Sequence, residues 1–404
     1  MTRTYDIGLK EALELTFDAI GTLPPAPMPV HEAGGFVAAK DIQAVVDCPS
    51  ATSSLRDGYA VVSADIAEAS PANGIPLKVS GSLAAGDPAQ LAVRSGETVN
   101  VLTGAVIPKG ADAVVSVEFT ERQGENVVCY RDAPPRCNLL FQGSDVAAGD
   151  LIVSRGQHMT PALTGLLAAG GLDRVEVYPR ARVAVVATGD EVIAPGKPLR
   201  SGQLYASNIV TLYAWLRRFG MKGETAVVRD RPHELQKTFQ ELLGRNDALL
   251  TSGGAWKSER DLTTRILDEM GWEMFFHRVR IGPGKAVALG VLDGKPIFCL
   301  PGGPPSNEMA FLQIALPGLL QMAGRPTAPF KLKNCRLAEE LSGDITWTQF
   351  YQASLEKRGE EWWAIPHRMK SRIQSQARAQ ALIRISEGIH CLARGDVIEV
   401  QELF

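Results

Sequence analysis

The stretch Arg182-Val183-Ala184-Val185-Val186-Ala187-Thr188-Gly189-Asp190-Glu191 decides the fold. An unbroken run of small and β-branched apolar residues that stops in Thr-Gly-Asp-Glu reads as a parallel strand, buried on both faces, ending in a ligand-binding loop. About sixty residues later Ala248-Leu249-Leu250-Thr251-Ser252-Gly253-Gly254 repeats the pattern. Ligands of open α/β sheets sit beyond the carboxyl ends of the strands, so both loops are expected to line one crevice.

The surroundings fit that reading. From Ala181 to Ala323 helical and strand patterns alternate: helices over 208–219, 232–244, 261–270 and 308–320, strands over 224–228 and 248–250. This is the order of a doubly wound parallel sheet with helices on both faces. Upstream, apolar spacing from Ile7 to Ile20 predicts one helix, closed by Gly21 and the break Pro24-Pro25-Ala26-Pro27. Between Val62 and Val146 short β runs are punctuated by Gly and Pro, the pattern of a small all-β domain, and Asp57-Gly58 is open to reading as a turn. A helix follows over 161–169. Past Arg325-Pro326-Thr327-Ala328-Pro329 the chain returns to short strands. The division expected is 1–48 with 147–180 as a helical and extended linking domain, 49–146 as the small β domain, 181–326 as the α/β domain, and 327–404 as a small C-terminal β-barrel-like domain.

Composition narrows the ligand. The chain has 404 residues, 45% hydrophobic, and 42 Lys plus Arg nearly balance 45 Asp plus Glu. That balance argues against general binding to nucleic acid or acidic membranes and points to a small molecule. The apolar run around Phe311–Met322 is interrupted by Gln313 and Pro317, and the first residues carry no apolar signal core, so a cytoplasmic protein is expected. Six scattered cysteines and six isolated histidines show no zinc spacing.

Carboxylates mark the crevice. Asp190 and Glu191 follow the first strand, Asp230 follows Val227-Val228, and Asp261 opens a helix. If the strands are neighbours these four converge, and hard oxygen ligands beside a phosphate suit Mg²⁺; taken singly, Asp230 and Asp261 also read as helix caps. Three glycine loops, Thr251-Ser252-Gly253-Gly254, Ile281-Gly282-Pro283-Gly284-Lys285 and Leu300-Pro301-Gly302-Gly303-Pro304-Pro305-Ser306-Asn307, bring free amides, a hydroxyl and a lysine to its rim, though each alone could be a plain turn.

Taken together, Asp57-Gly58-Tyr59-Ala60-Val61, Thr103-Gly104 with Gly110-Ala111-Asp112, Ala187-Thr188-Gly189-Asp190-Glu191, Thr251-Ser252-Gly253-Gly254, Pro283-Gly284-Lys285 and Leu300-Pro301-Gly302 resemble the molybdopterin molybdenumtransferases, the family of bacterial MoeA and the gephyrin E domain. The resemblance runs in order over nearly the whole chain. It implies a homodimer of four-domain subunits with the active site between subunits, and a reaction that inserts molybdate into adenylylated molybdopterin with Mg²⁺ and releases AMP in molybdenum cofactor biosynthesis. By position it places catalytic roles on Asp57, Thr103, Glu191, Asp230 and Asp261, with Glu191, Asp230 and Asp261 as metal ligands. Binding roles fall on Thr188, Gly189, Asp190, Ser252, Gly253, Gly254, Lys285, Pro301, Pro304 and Ser306. Other proteins of cofactor biosynthesis are conceivable partners.

Four departures remove groups that would bind an oxyanion or the substrate. Trp256 stands where the family has a serine, Gly282 where it has a lysine, Gly303 where it has an asparagine, and Gln352 where an arginine is usual. A charge-assisted hydrogen bond contributes roughly 1.5 to 3 kcal/mol, so an uncompensated loss of two cations would weaken oxyanion binding by on the order of a hundredfold or more. Trp256 could instead stack on a pterin or adenine, and Lys257, Arg260, Arg278, Arg280 and Arg372 are candidates for compensation. The departures leave open molybdate or tungstate as substrate. The rival readings are a pterin-nucleotide-binding or scaffold paralogue that has lost oxyanion binding, and a nucleotide hydrolase.

Overall fold

The structure, a computed structural model, describes residues 4–88, 90–253, 262–325, 329–368 and 371–404. The chain forms two compact units: one holds residues 27–177, the other the N-terminal segment to Ala26 together with Tyr178–Phe404.

The larger unit opens with β1 (Thr4–Ile7) and α1 (Leu9–Ala19). The 27–177 unit contains a six-stranded sheet built from β2 (Gly58–Val61), β3 (Ile75–Leu83), β4 (Glu97–Val101), β5 (Ala113–Ser116), β6 (Thr120–Gln123) and β7 (Asn126–Cys129), in the order β6-β7-β3-β4-β2-β5. Asp57-Gly58 is no hairpin turn: Gly58 opens β2, and a Cβ there would collide with the Val115 carbonyl of the neighbouring strand. A separate apolar cluster in this unit joins Val30, Ile42, Val146, Met159 and Val177 around α2 (Pro161–Ala169). Thr160 caps that helix from its side chain, with Pro161 in the first turn.

The larger unit is organised on β8 (Arg182–Thr188). It continues with α3 (Ser207–Arg218), β9 (Lys222–Val228), α4 (Pro232–Arg245), β10 (Ala248–Ser252), α5 (Leu262–Glu269), β11 (Glu273–Val279), β12 (Ala288–Leu292) and β13 (Lys295–Leu300). The seven-stranded sheet runs β1-β11-β12-β13-β10-β8-β9. Both faces of β8 are covered, as its continuous apolar run requires. Val183, Val185 and Ala187 join the core under α1 and α3, whereas Ala184 and Val186 join a second core with Leu235 and Phe239 of α4 and Ile266 of α5. Each face takes every other side chain.

The sheet is mixed rather than wholly parallel. Strand β12 is antiparallel to both neighbours, while β9, β8, β10 and β13 pair in parallel. The cause is local: Asp293 (φ 51°) and Gly294 (φ 75°) both take positive φ and close a tight hairpin between β12 and β13. The last helix of the sheet extends beyond the 308–320 expected, as α6 (Pro304–Ala310), a π-turn over Phe311–Ala315, and α7 (Leu316–Met322). Pro317 has no N–H for the Gln313 carbonyl, and the turn before it is widened.

The C-terminal segment closes into a five-stranded barrel of β14 (Lys331–Leu337), β15 (Thr348–Arg358), β16 (Glu361–Pro366), β17 (Ala381–Ile385) and β18 (Val397–Glu402), with α8 (Arg372–Arg378) between β16 and β17. Closure comes from β15 pairing with both β16 and β17. Among the described residues no helix is long and apolar enough to cross a membrane.

Candidate functional site

The chain leaves β8 through α3 to reach β9 on one side, and arrives at β10 on the other side through α4, which packs on the opposite face. A crevice therefore opens between the carboxyl ends of β8 and β10. It holds a cavity of about 630 Å³, within the range of small-molecule sites, lined by Thr188, Glu191, Ser252, Gly253, Gly302 and Pro304 among others.

Glycines make its floor. Gly189 has φ 140°, and a Cβ there would lie 2.7 Å from Glu191 Oε2, so the Glu191 carboxylate rests on the bare Cα. Gly253 has φ 104°, and its missing Cβ would approach the Thr188 carbonyl to 2.9 Å. A Cβ on Gly302 would in turn meet Gly253 Cα at 3.7 Å. Three strand ends are thus layered closely.

Above this floor the polar groups are oriented. Asn208, on the first turn of α3, donates to Ser252 Oγ at 2.9 Å and to the Gly302 carbonyl at 2.8 Å. Asn307, buried on α6, donates to the same Ser252 Oγ at 3.1 Å and to the Pro301 carbonyl at 2.8 Å. A serine hydroxyl has two acceptor lone pairs and one proton. Both acceptor positions of Ser252 are filled, and its proton is left to donate. Helix α3 also begins here without a side-chain cap, which leaves first-turn N–H groups and the positive end of its dipole at the crevice, whereas α6 opens on Pro304-Pro305, which have no N–H to offer.

The carboxylates are coupled. Partial burial, then the charges of Asp190 and Glu191, push the Asp230 carboxyl above the usual range. Such repulsion is relieved by a cation, and hard oxygen donors are the set that Mg²⁺ takes. Among the described residues no three acidic, His or Cys side chains form a closed metal cage; one or two carboxylates beside substrate phosphates meet the needs of Mg²⁺ without one.

The other sequence-derived residues are placed as follows. Pro304 opens α6, with Ser306 on its first turn, and Pro301 directly follows β13. Lys285 is absent from the cavity lining; its ammonium stands 4.7 Å from the centre of the Trp347 ring, beside the barrel. Asp57 and Thr103 belong to the other unit and meet there: Asp57 Oδ1 accepts from the Thr103 N–H (2.7 Å) and hydroxyl (2.8 Å). Those two bonds hold the Asp57 carboxyl below the usual range. Gly254, Trp256 and Asp261 lie outside the described residues; of the other three expected carboxylates, Glu191 lines the cavity, while Asp190 and Asp230 are absent from the lining and are linked to it by charge alone. Sequence reasoning missed Asn208 and Asn307. An asparagine near a helix start reads as a solvent-facing cap, and its turn toward a distant serine has no sequence signal.

The sequence also matches known proteins. Residues 7–171 match the model of the MoeA N-terminal region (domain I and II), and 184–321 that of a probable molybdopterin binding domain. A molybdopterin molybdenumtransferase of Haemophilus influenzae is 33% identical over 298 residues, covering 73% of this chain and 72% of that protein. The chain belongs to the molybdopterin molybdenumtransferase family. Another relative so named, molybdopterin molybdenumtransferase 2 of Mycobacterium tuberculosis, is 30% identical over 94% of this chain and 95% of its own. The crystal structure of a molybdopterin biosynthesis MoeA protein from Pyrococcus horikoshii superposes with a TM-score of 0.86 at 32% identity, covering 98% of this chain and 99% of that one. The molybdenumtransferase fold therefore extends over both units and the barrel, and the chain is a transferase-family protein of molybdenum cofactor biosynthesis.

Proposed function

We propose that the protein inserts molybdate, or tungstate, into adenylylated molybdopterin with release of AMP, in a Mg²⁺-dependent reaction. The observation that carries the reading is the crevice itself. A hydroxyl with a directed proton, the uncapped start of α3 and Glu191, which is electrostatically coupled to Asp230, face one cavity of small-molecule size.

In this reading Glu191 and Asp230, with Asp261, hold Mg²⁺, which when bound would offset phosphate charge and polarise the scissile anhydride. The chain's own groups do the rest. Ser252 donates to a substrate oxygen, while the Gly253 N–H is given to the Leu300 carbonyl and its bare Cα lets the ends of β8 and β10 close together beneath the ligand. Apolar Val192, Leu204 and Tyr205 line one side of the cavity and suit the flat face of a heterocycle. Asp57 and Thr103 act in this reading from the small β domain of a second subunit, within a cytoplasmic homodimer of four-domain subunits bounded at 1–48 with 147–180, 49–146, 181–326 and 327–404.

A second reading has its own support: Gly282 and Gln352 leave the β15 side of the barrel without the family's cations, as in a paralogue that binds a pterin nucleotide and no oxyanion. Incubation of the purified protein with adenylylated molybdopterin, Mg²⁺ and molybdate or tungstate separates the two. Release of AMP together with metal incorporation supports the transferase. Bound nucleotide with neither event sinks it and supports the paralogue, and AMP release indifferent to oxyanion identifies a hydrolase.

A further inference from the structure

The missing cations have a substitute in the cavity. Of the five basic residues that could compensate, Lys257 and Arg260 lie outside the described residues. Arg278 is paired with Asp6 at 3.1 Å, and Arg280 is held by Glu387 at 3.4 Å and by the Thr346 carbonyl at 3.2 Å. Both are committed to packing the barrel and strand β1 against β11. Arg372 differs: it lines the crevice cavity, and among the described residues it has neither an ion-pair nor a side-chain hydrogen-bond partner. It is the one basic residue among the described residues of that lining, and Glu191 the one acidic residue.

The position of Arg372 is built rather than incidental. Ser371 caps α8 by accepting from the Gln374 N–H. Gln376, one turn on, donates to the Pro304 carbonyl at 3.1 Å and to Glu308 Oε2 at 2.8 Å. Glu308 Oε1 in turn accepts from Trp215 Nε1 at 2.8 Å. The barrel's helix is thereby fastened to the start of α6, and Arg372 is delivered to the wall that Ser252 faces. A hydroxyl forced to donate and an unpaired guanidinium in one cavity call for an acceptor bearing negative charge.

We propose that Arg372 supplies the charge that binds a tetrahedral oxyanion in this crevice, with Ser252 donating to the same group. This rests on the proposed function. Two sources share that chemistry: the phosphate of the bound nucleotide, and free molybdate or tungstate. Because Arg372 is exposed, its contribution falls at the lower end for a charge-assisted contact, about tenfold in affinity.

The test is calorimetric titration of the full-length protein and its Arg372→Gln and Arg372→Lys variants with AMP and, separately, with tungstate, at low and high salt. The expected result is about tenfold weaker binding of one probe by Arg372→Gln, a loss of that probe's salt dependence, partial rescue by Arg372→Lys, and an unchanged melting temperature. Weakening of AMP alone assigns the guanidinium to the nucleotide phosphate, and weakening of tungstate alone assigns it to the metal oxyanion. Wild-type binding that Arg372→Gln leaves intact overturns the inference and spares the proposed function. Failure of the wild-type protein to bind either probe overturns the proposed function, and this inference with it.

Discussion

Asn208 donates its side-chain amide to Ser252 Oγ at 2.9 Å across 44 residues of sequence, and so helps to set where the serine proton points. Asn208→Ala would free one lone pair and let the hydroxyl rotate, weakening AMP binding by roughly fivefold, the worth of about 1 kcal/mol of hydrogen bonding. Asn208→Asp should do more harm. A carboxylate at that position can only accept, so the Ser252 proton would turn to it and away from the cavity. Dissociation constants for AMP in the order wild type, Ala, Asp are the expected outcome; equal values for the two variants would refute the orientation argument.

Gly189 carries the Glu191 carboxylate directly on its Cα at φ 140°. Gly189→Ala places a methyl 2.7 Å from Glu191 Oε2 and forces a conformation that L residues rarely adopt. A loss of about 1–3 kcal/mol in urea denaturation is expected, with the rate of AMP release falling further than stability alone explains.

Acid should weaken the outer edge of the sheet. Glu224 on β9 accepts from Arg245 Nε at 2.9 Å and from Asn246 at 3.0 Å, and Arg245 first, then Asn246, hold its carboxyl down at about 2 against an ordinary 4.5. A carboxyl depressed in the folded state contributes stability above its unfolded value and loses it as pH falls toward the folded one. Glu224→Gln should therefore flatten the decline in stability between about pH 4.5 and about pH 2, by a small amount because the pair is solvated. Urea midpoints across that range measure it, and parallel curves for the two proteins would count against it.

Two of the departures from the family should be reversible without harm to the fold. At Gly282 a Cβ would meet only Gln349 Cγ, at 3.7 Å, and at Gly303 nothing lies within 4 Å. Gly282→Lys and Gly303→Asn are expected to leave stability within about 0.5 kcal/mol, while Gly282→Lys strengthens tungstate binding by the worth of one added cation. A drop in melting temperature would show that these glycines serve the backbone after all.

Much of this was readable in the residues. The run Val183–Ala187 announced a strand buried on both faces because such a strand admits no polar position, and its alternate side chains do feed two cores. The loops Thr188-Gly189 and Ser252-Gly253 announced a crevice because only glycine allows strand ends to be layered so closely. Strand β12 was not readable as antiparallel: a short apolar run reads the same in either direction, and its sense depends on the Asp293-Gly294 turn. Nor was the confinement of Lys285 over Trp347, since a lysine in a glycine loop carries no mark of the ring that will hold it.

The sequence by itself determined the fold family and which strand ends border the cavity, because burial period and glycine placement are local properties of the chain. Only the tertiary structure decided which groups are free to act there. Ser252 became a donor through Asn208 and Asn307, and Arg372 reached the cavity through Gln376 and Glu308. The physical reason is that a hydrogen-bond partner or an unpaired charge is a property of neighbours in space, and those neighbours lie tens of residues apart along the chain.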